Sequence, residues 1–161
     1  MFGLTGPLGK GLGLLPTSKG VHIAFSAGTG ILPFVDMVAK LLLQEMNSLP
    51  DEDEKFHDDF KLVMFIGFQN RKDGIALPIV DGLKELVNKS NKSKRFRVFF
   101  RFGDAKPKQP RWDEAFIKEV LETYQPEGIN KIWVCGPPLL EEQFDMALSK
   151  IAPTFGLNFA T

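Results

Sequence analysis

The stretch "AFSAGTGILPF", Ala24 to Phe34, decides how this chain is read. It leaves a strand-like apolar run, passes through Gly28-Thr29-Gly30 and closes on residues that look like a helix start. Glycine permits positive φ and lets another group approach the backbone closely. A helix opening there points free N–H groups, and the positive end of its dipole, at whatever lies above. Phosphate is a common occupant of such a place. An ordinary tight βα turn is the other reading, and the stretch alone leaves both open.

Working outward, strands and helices alternate. Val21–Ser26 precedes the turn as a short apolar strand of the kind covered on both faces. Ile31–Met46 follows with apolar residues at helical period, and Pro33 is tolerated in a first turn, where its missing N–H has no partner to lose. Lys61–Phe68, Phe96–Phe102 and Lys131–Gly136 read as further strands; "LPIVDGLKELVNKS", Asp113–Tyr124 and Pro138–Ile151 read as helices. "FGLNFA", starting at Phe155, is a candidate fifth strand. The alternation predicts an α/β fold, a five-stranded parallel sheet with helices on both faces. In such sheets ligands sit beyond the carboxyl ends of the strands. That rule puts Gly28–Gly30, Phe68–Asn70, Phe102–Asp104 and Cys135–Pro138 on one rim.

Composition narrows the class. At 161 residues, with 43% hydrophobic content and 15 Phe, the chain suits a single packed domain. Lys+Arg and Asp+Glu are 20 each, so no net field draws the chain to nucleic acid or an anionic membrane. No apolar run is long enough for a membrane span. The single cysteine, Cys135, excludes a disulfide framework, a four-cysteine zinc site and an intrachain cysteine-ligated cluster. A soluble, cytoplasmic setting is expected for this segment, whether or not its parent protein is membrane-associated.

The chemistry-bearing patterns are few. Gly9-Lys10 suggests a P-loop, but Leu4 stands where its first Gly belongs and Gly11 where Ser or Thr would hold magnesium. Gly28 and Gly30 fit the start of the dinucleotide fingerprint, yet Pro33 occupies the third glycine, and Gln69 and Asn70 follow the second strand where an acid would stand. His22 falls in a strand and His57 in the acidic loop 50–59, so no Ser/His/Asp set and no metal-spaced histidine pair exists. Cys135-Gly136-Pro137-Pro138 ends a strand at the rim; its thiol either contacts a ligand or packs the sheet. Any chemistry here is carried by a cofactor that the domain positions.

"GPLGKG", "SAGTGILPF" and "VCGPP", in this order and at these separations, resemble the nicotinamide-binding domain of the ferredoxin–NADP reductase superfamily. "MFIGFQNRKDGIALPIVDGLKEL" and "FRFGDAKPKQPRW" resemble its cytochrome b5 reductase and nitrate reductase branch. The resemblance implies an NAD(P)H-dependent flavoprotein reductase. In that family a nicotinamide hands a hydride to FAD or FMN on an amino-terminal barrel, and electrons pass on to a one-electron acceptor such as a haem protein. It also implies that residues 1–16 are the tail of that barrel and a linker, and that residues 17–161 are the NAD(P)-binding domain. The flavin domain would then belong to the same parent chain, and this fragment alone would bind nucleotide while catalysing little. By position, Gly28, Thr29 and Gly30 would line the pyrophosphate and nicotinamide, with Pro33 opening the helix, and Gln69 and Asn70 would lie beside the cofactor. Cys135 would approach the nicotinamide, with Gly136, Pro137 and Pro138 as the adjacent wall. Asp104, where the branch carries an acid facing the adenosine ribose, implies NADH in preference to NADPH, while Arg101, Lys106, Lys108 and Arg111 flank it as groups able to hold a 2′-phosphate and reverse the preference. Family members often end on an aromatic residue that shields the flavin; Phe159 is the nearest counterpart here. Two other readings stay open: an electron-transfer subunit of a dihydroorotate dehydrogenase-like complex, and a non-catalytic interaction or regulatory module.

Overall fold

The strands of this chain carry apolar side chains on both faces, so they need a helical layer on each side. The computed structural model, which describes residues 11–48, 55–89, 95–106 and 112–157, has that arrangement. Strand β1 (Gly20–Ala27) leads through a 3-10 turn, Gly28–Phe34, into helix α1 (Val35–Glu45). Then come β2 (Phe60–Phe68), α2 (Leu77–Lys89), β3 (Phe96–Phe102), α3 (Glu114–Tyr124), β4 (Ile129–Cys135) and α4 (Pro138–Ile151). All strands are parallel, in the order β3-β2-β1-β4.

Alternation along the strands fills two cores. Ala24, Leu62, Met64, Ile66 and Val98 pack against Val38 and Leu41 of α1 and Val80 and Leu83 of α2. Ile23, Phe25, Val63 and Phe65 pack against Val120 and Leu121 of α3 and Phe144 and Leu148 of α4. Asp113 starts α3 by accepting the Phe116 N–H at 3.0 Å, the usual work of an N-cap carboxylate.

Two expectations are corrected. The expected helix Ile31–Met46 becomes α-helical only at Val35. The turn before it winds in 3-10 form around Pro33, whose ring nitrogen has no hydrogen to close an α-type bond. The expected five-stranded sheet has four strands among the described residues. Helix α4 runs on into a 3-10 turn, Ala152–Phe155, closed by Gly156 N–H on Pro153 O and Leu157 N–H on Ala152 O. Phe155 thus lies in helical backbone rather than in a strand. Residues 158–161, including Phe159, lie outside the described residues.

Polar groups fix the amino-terminal end of the sheet. Glu45 and Arg95, 2% and 9% exposed, pair at 3.0 Å, and the same guanidinium donates to the carbonyls of Phe56 and His57. Gln44 holds both backbone groups of Phe56 at 2.9 Å. A buried ion pair contributes only when its remaining hydrogen-bonding capacity is met, and these carbonyls help to meet it. Glu127 takes Lys61 at 2.8 Å and Arg97 at 2.9 Å, and the Lys61 bond chiefly holds its carboxyl below the ordinary range.

His22 is fully buried, stacked on Phe60 at 4.5 Å and Trp133 at 5.7 Å, with Nδ1 3.2 Å from the Gly20 carbonyl oxygen. Burial pushes its pKa below the ordinary 6.5. The unfolded chain therefore takes up a proton that the folded chain refuses, and stability falls as pH drops below 6.5. His22→Phe should flatten that part of the profile. Urea midpoints at about pH 7.5 and about pH 5.5 should differ less in the variant than in the natural chain.

Candidate functional site

The chain builds β1, β2 and β3 outward in one direction and then returns to place β4 on the other side of β1. Strand order therefore reverses between β1 and β4. The crevice beyond their carboxyl ends is where sheets of this type take ligands. The Gly28–Phe34 turn forms one wall and Cys135–Pro138 the other.

Gly30 joins the two walls. A Cβ on it would stand 2.0 Å from the Cys135 carbonyl oxygen and 2.8 Å from the Gly136 nitrogen, so only hydrogen fits against that peptide. Gly28 has the opposite surroundings: its φ is +57° and nothing lies within 4 Å of a Cβ built on it. Thr29 and Pro33 are exposed. The first N–H groups of such a turn have no carbonyl partner within it.

On the β4 wall, Cys135 is half-buried beside Ser26, its register partner on β1. Burial pushes the thiol pKa up, and the Glu141 carboxylate adds to the effect. Cys135 is therefore mainly the neutral thiol at neutral pH, with only a small thiolate fraction to react. Pro137 precedes α4 and Pro138 opens it. Glu141 reaches back to accept the Gly136 N–H at 3.3 Å, fixing the loop over the strand end.

The other half of the rim is built on β2 and β3. Asp104 N–H bonds to Gln69 O at 3.0 Å and Gly103 N–H to Phe68 O at 2.9 Å. The Gln69 amide is folded over Gly103, where its Oε1 would lie 2.7 Å from an added Cβ. Asp104 is exposed. Asn70 is committed to its own loop: Oδ1 accepts the Asp73 N–H at 3.1 Å and Nδ2 bonds the Asp73 carboxylate. Arg71, which pattern reading passed over, pairs with Asp81 at 2.9 Å and lies 5.9 Å over the Phe102 ring. The rim thus collects all the candidate residues in two groups: Gly28–Pro33 with Cys135–Pro138, and Gln69–Asn70 with Asp104.

A cavity of about 500 Å³ lies around the corner, between β3, α3 and α4, lined by Arg101, Trp112, Leu140, Met146 and Lys150 among others. Among the described residues its two lining cations are engaged: Lys150 with Glu114 at 3.3 Å and Arg101 over the Trp112 ring at 5.8 Å. The chemistry-bearing residues lie at the crevice instead. Among the described residues no group of His, Cys, Asp and Glu could hold a metal ion, and no helix is long and apolar enough to cross a membrane.

The comparisons with known proteins agree with this geometry. The family model for the oxidoreductase NAD-binding domain matches residues 25–145, from within β1 to within α4. The chain belongs to that family. No curated protein sequence matches it. Solved structures of the ferredoxin–NADP reductase type share the fold. One is the cytochrome b5 reductase domain of Ulva prolifera nitrate reductase, at 15% identity and TM-score 0.54, with 90% of this chain and 48% of that one covered. Another holds the CS-b5R domains of human Ncb5or in the NAD+ form, at 21% identity and TM-score 0.56, with coverage of 89% and 35%. A third is the flavohaemoglobin of Malassezia yamatoensis with bound FAD and haem, at 17% identity and TM-score 0.51, with coverage of 89% and 30%. The chain thus spans half or less of the length of these relatives. At these identities the likeness carries the fold, and the expected family and its cytochrome b5 reductase-like neighbours are both found.

The two glycines should respond differently to a methyl group. Gly30→Ala must push the turn off β4 and should cost more than about 3 kcal/mol, in the range of severe overpacking. Gly28→Ala meets no atoms and should cost only about 1 kcal/mol for left-handed backbone. Urea denaturation of the two variants checks the order, and equal losses would contradict the contact at Gly30.

Proposed function

We propose that the chain binds NADH across the β1/β4 crevice as the nucleotide-binding domain of a flavin-dependent reductase. The observation that carries this reading is the Gly30 contact: it closes the turn onto β4 while the Gly28 face beside it stays open. A turn with open space above Gly28 leaves room for a pyrophosphate to approach its backbone. Family membership supports a nicotinamide nucleotide in particular.

In this reading Gly28, Thr29 and Gly30 bind the pyrophosphate through backbone N–H groups, with Pro33 fixing the turn behind them. Gly136, Pro137 and Pro138 form the wall against the nicotinamide. When bound, the reduced nicotinamide supplies a hydride. Cys135, neutral and half-buried, excludes water there without adding charge. Gln69 supports the Asp104 loop, and Asn70 holds the shape of the loop after β2. Asp104 accepts hydrogen bonds from the adenosine ribose hydroxyls and repels a 2′-phosphate. The Arg101 guanidinium lies over the Trp112 ring at 5.8 Å. The flavin, FAD or FMN, would be held by a flavin-binding domain of the same parent chain, and a haem protein would serve as the one-electron acceptor. The bound FAD and haem of the flavohaemoglobin neighbour illustrate such an arrangement in a related fold.

Titration of the chain with NADH and NADPH at fixed ionic strength tests this. NADH should bind more tightly by about three- to tenfold, a modest ratio because Asp104 is exposed and solvent weakens its repulsion. Asp104→Ser should narrow the gap, mainly by improving NADPH binding. Equal or tighter NADPH binding would overturn the ribose assignment, and binding of neither nucleotide would favour a non-catalytic module. Cys135→Ser should leave nucleotide affinity unchanged, and in the complete flavin-containing reductase should slow hydride transfer.

A further inference from the structure

The segment preceding β1 is held by an unusual set of bonds. Leu12 O accepts from Trp133 Nε1 and from Lys131 Nζ, both at 3.2 Å, and Gly13 O accepts from the same Nζ at 2.7 Å. Lys131 and Trp133 alternate along β4, an edge strand, and Cys135 is the next residue on that face. Leu12, Leu14, Trp133 and Cys135 all pack at the margin of the core that buries Ile31 and Phe34 of the glycine turn. The Trp133 ring lies 5.9 Å from that of Phe34. Beyond the contact the chain is tied down separately, with Leu15 and Ser18 in a turn and Pro16 O accepting the His57 N–H at 3.1 Å. Leu15 itself is 64% exposed.

We propose that residues 11–15 form a strap whose seating on Lys131 and Trp133 braces the crevice, so that the strap and the nucleotide turn open and close together. Seated, the strap satisfies the indole N–H and covers Trp133, which supports Phe34 at the end of the turn and flanks Cys135. Released, it leaves the indole N–H and the Lys131 ammonium to water and removes Leu12 and Leu14 from the core margin. Trp133 then loses the bond that fixes its ring beside Phe34, and the end of β4 that carries Cys135 loosens with it. A ligand that favours the closed crevice must then favour the seated strap, and by linkage the strap must favour the ligand to the same degree. The nucleotide half of this statement rests on the function proposed above; the coupling between strap and crevice does not.

Cys135 is the only cysteine and reports on the crevice directly. Lys131→Met removes two of the strap's bonds, and Trp133→Phe removes the indole N–H while keeping a ring. Each variant should alkylate at Cys135 several-fold faster with iodoacetamide, while hydrogen exchange of Met64 and Val98 amides in β2 and β3 stays unchanged. In the natural chain, NADH should slow exchange of the Leu12, Gly13 and Leu14 amides several-fold, and each variant should bind NADH several-fold more weakly. Unchanged Cys135 alkylation in both variants overturns the proposal. So does faster exchange throughout β2 and β3, which marks general loosening. NADH binding that leaves strap exchange unaltered overturns it as well. Faster alkylation with no NADH binding keeps the coupled strap and removes the nucleotide reading instead.

Discussion

No side chain can stand between the glycine turn and the end of β4. Gly30 lies so close to the peptide joining Cys135 and Gly136 that an added methyl carbon would overlap its carbonyl oxygen. The strand order creates this demand. Because β4 returns beside β1, the connection leaving β1 must pass the tip of β4 before α1 can descend over the sheet. Backbone-to-backbone approach there is what forms a crevice between the glycine turn and the end of β4. Its neighbours follow from it: Gly28 is left open above, Pro33 shapes the 3-10 turn, and Glu141 holds the opposing loop through the Gly136 N–H.

Rigidity and openness are divided between the two ends of the sheet. At the amino-terminal end, Glu45, Arg95 and Gln44 tie α1, the segment around Phe56 and the start of β3 together, and Glu127 collects Lys61 and Arg97. At the carboxyl-terminal end the candidate residues are backbone groups, prolines, a neutral thiol and an exposed carboxylate. A site of this kind offers shape and hydrogen-bonding groups, which suits a domain that positions a reactive cofactor. The strap across Trp133 adds a route by which the segment before β1 can influence that position.

Much of this was legible in the sequence because its signals are local. Apolar runs of strand length, alternating with helical periods, gave the parallel sheet; Asp113 and the paired Pro137-Pro138 marked the starts of α3 and α4 to within a residue. Gly28-Thr29-Gly30 and Cys135-Gly136 could be placed on one rim from strand polarity alone. What escaped depends on three-dimensional partners. Nothing local shows that Gly30 faces the Cys135 peptide, that Asn70 turns into its own loop, or that Trp133 bonds the backbone of Leu12. The fifth strand failed because an apolar "FGL" fits the end of a helix as well as a strand, and α4 overran it through a 3-10 turn. Glu141 did leave a signal: a carboxylate three residues after the helix-opening proline stands where it can reach back to a free N–H.

If a pyridine nucleotide lies across the β1/β4 crevice, amide chemical shifts of the isotopically labelled chain will report it as NADH is added. The largest changes are expected at Gly28, Thr29, Gly30 and Gly136, with smaller ones at Gln69 and Asp104. Changes confined to Trp112, Met146 and Lys150 around the cavity between α3 and α4, or no changes at all, would contradict it.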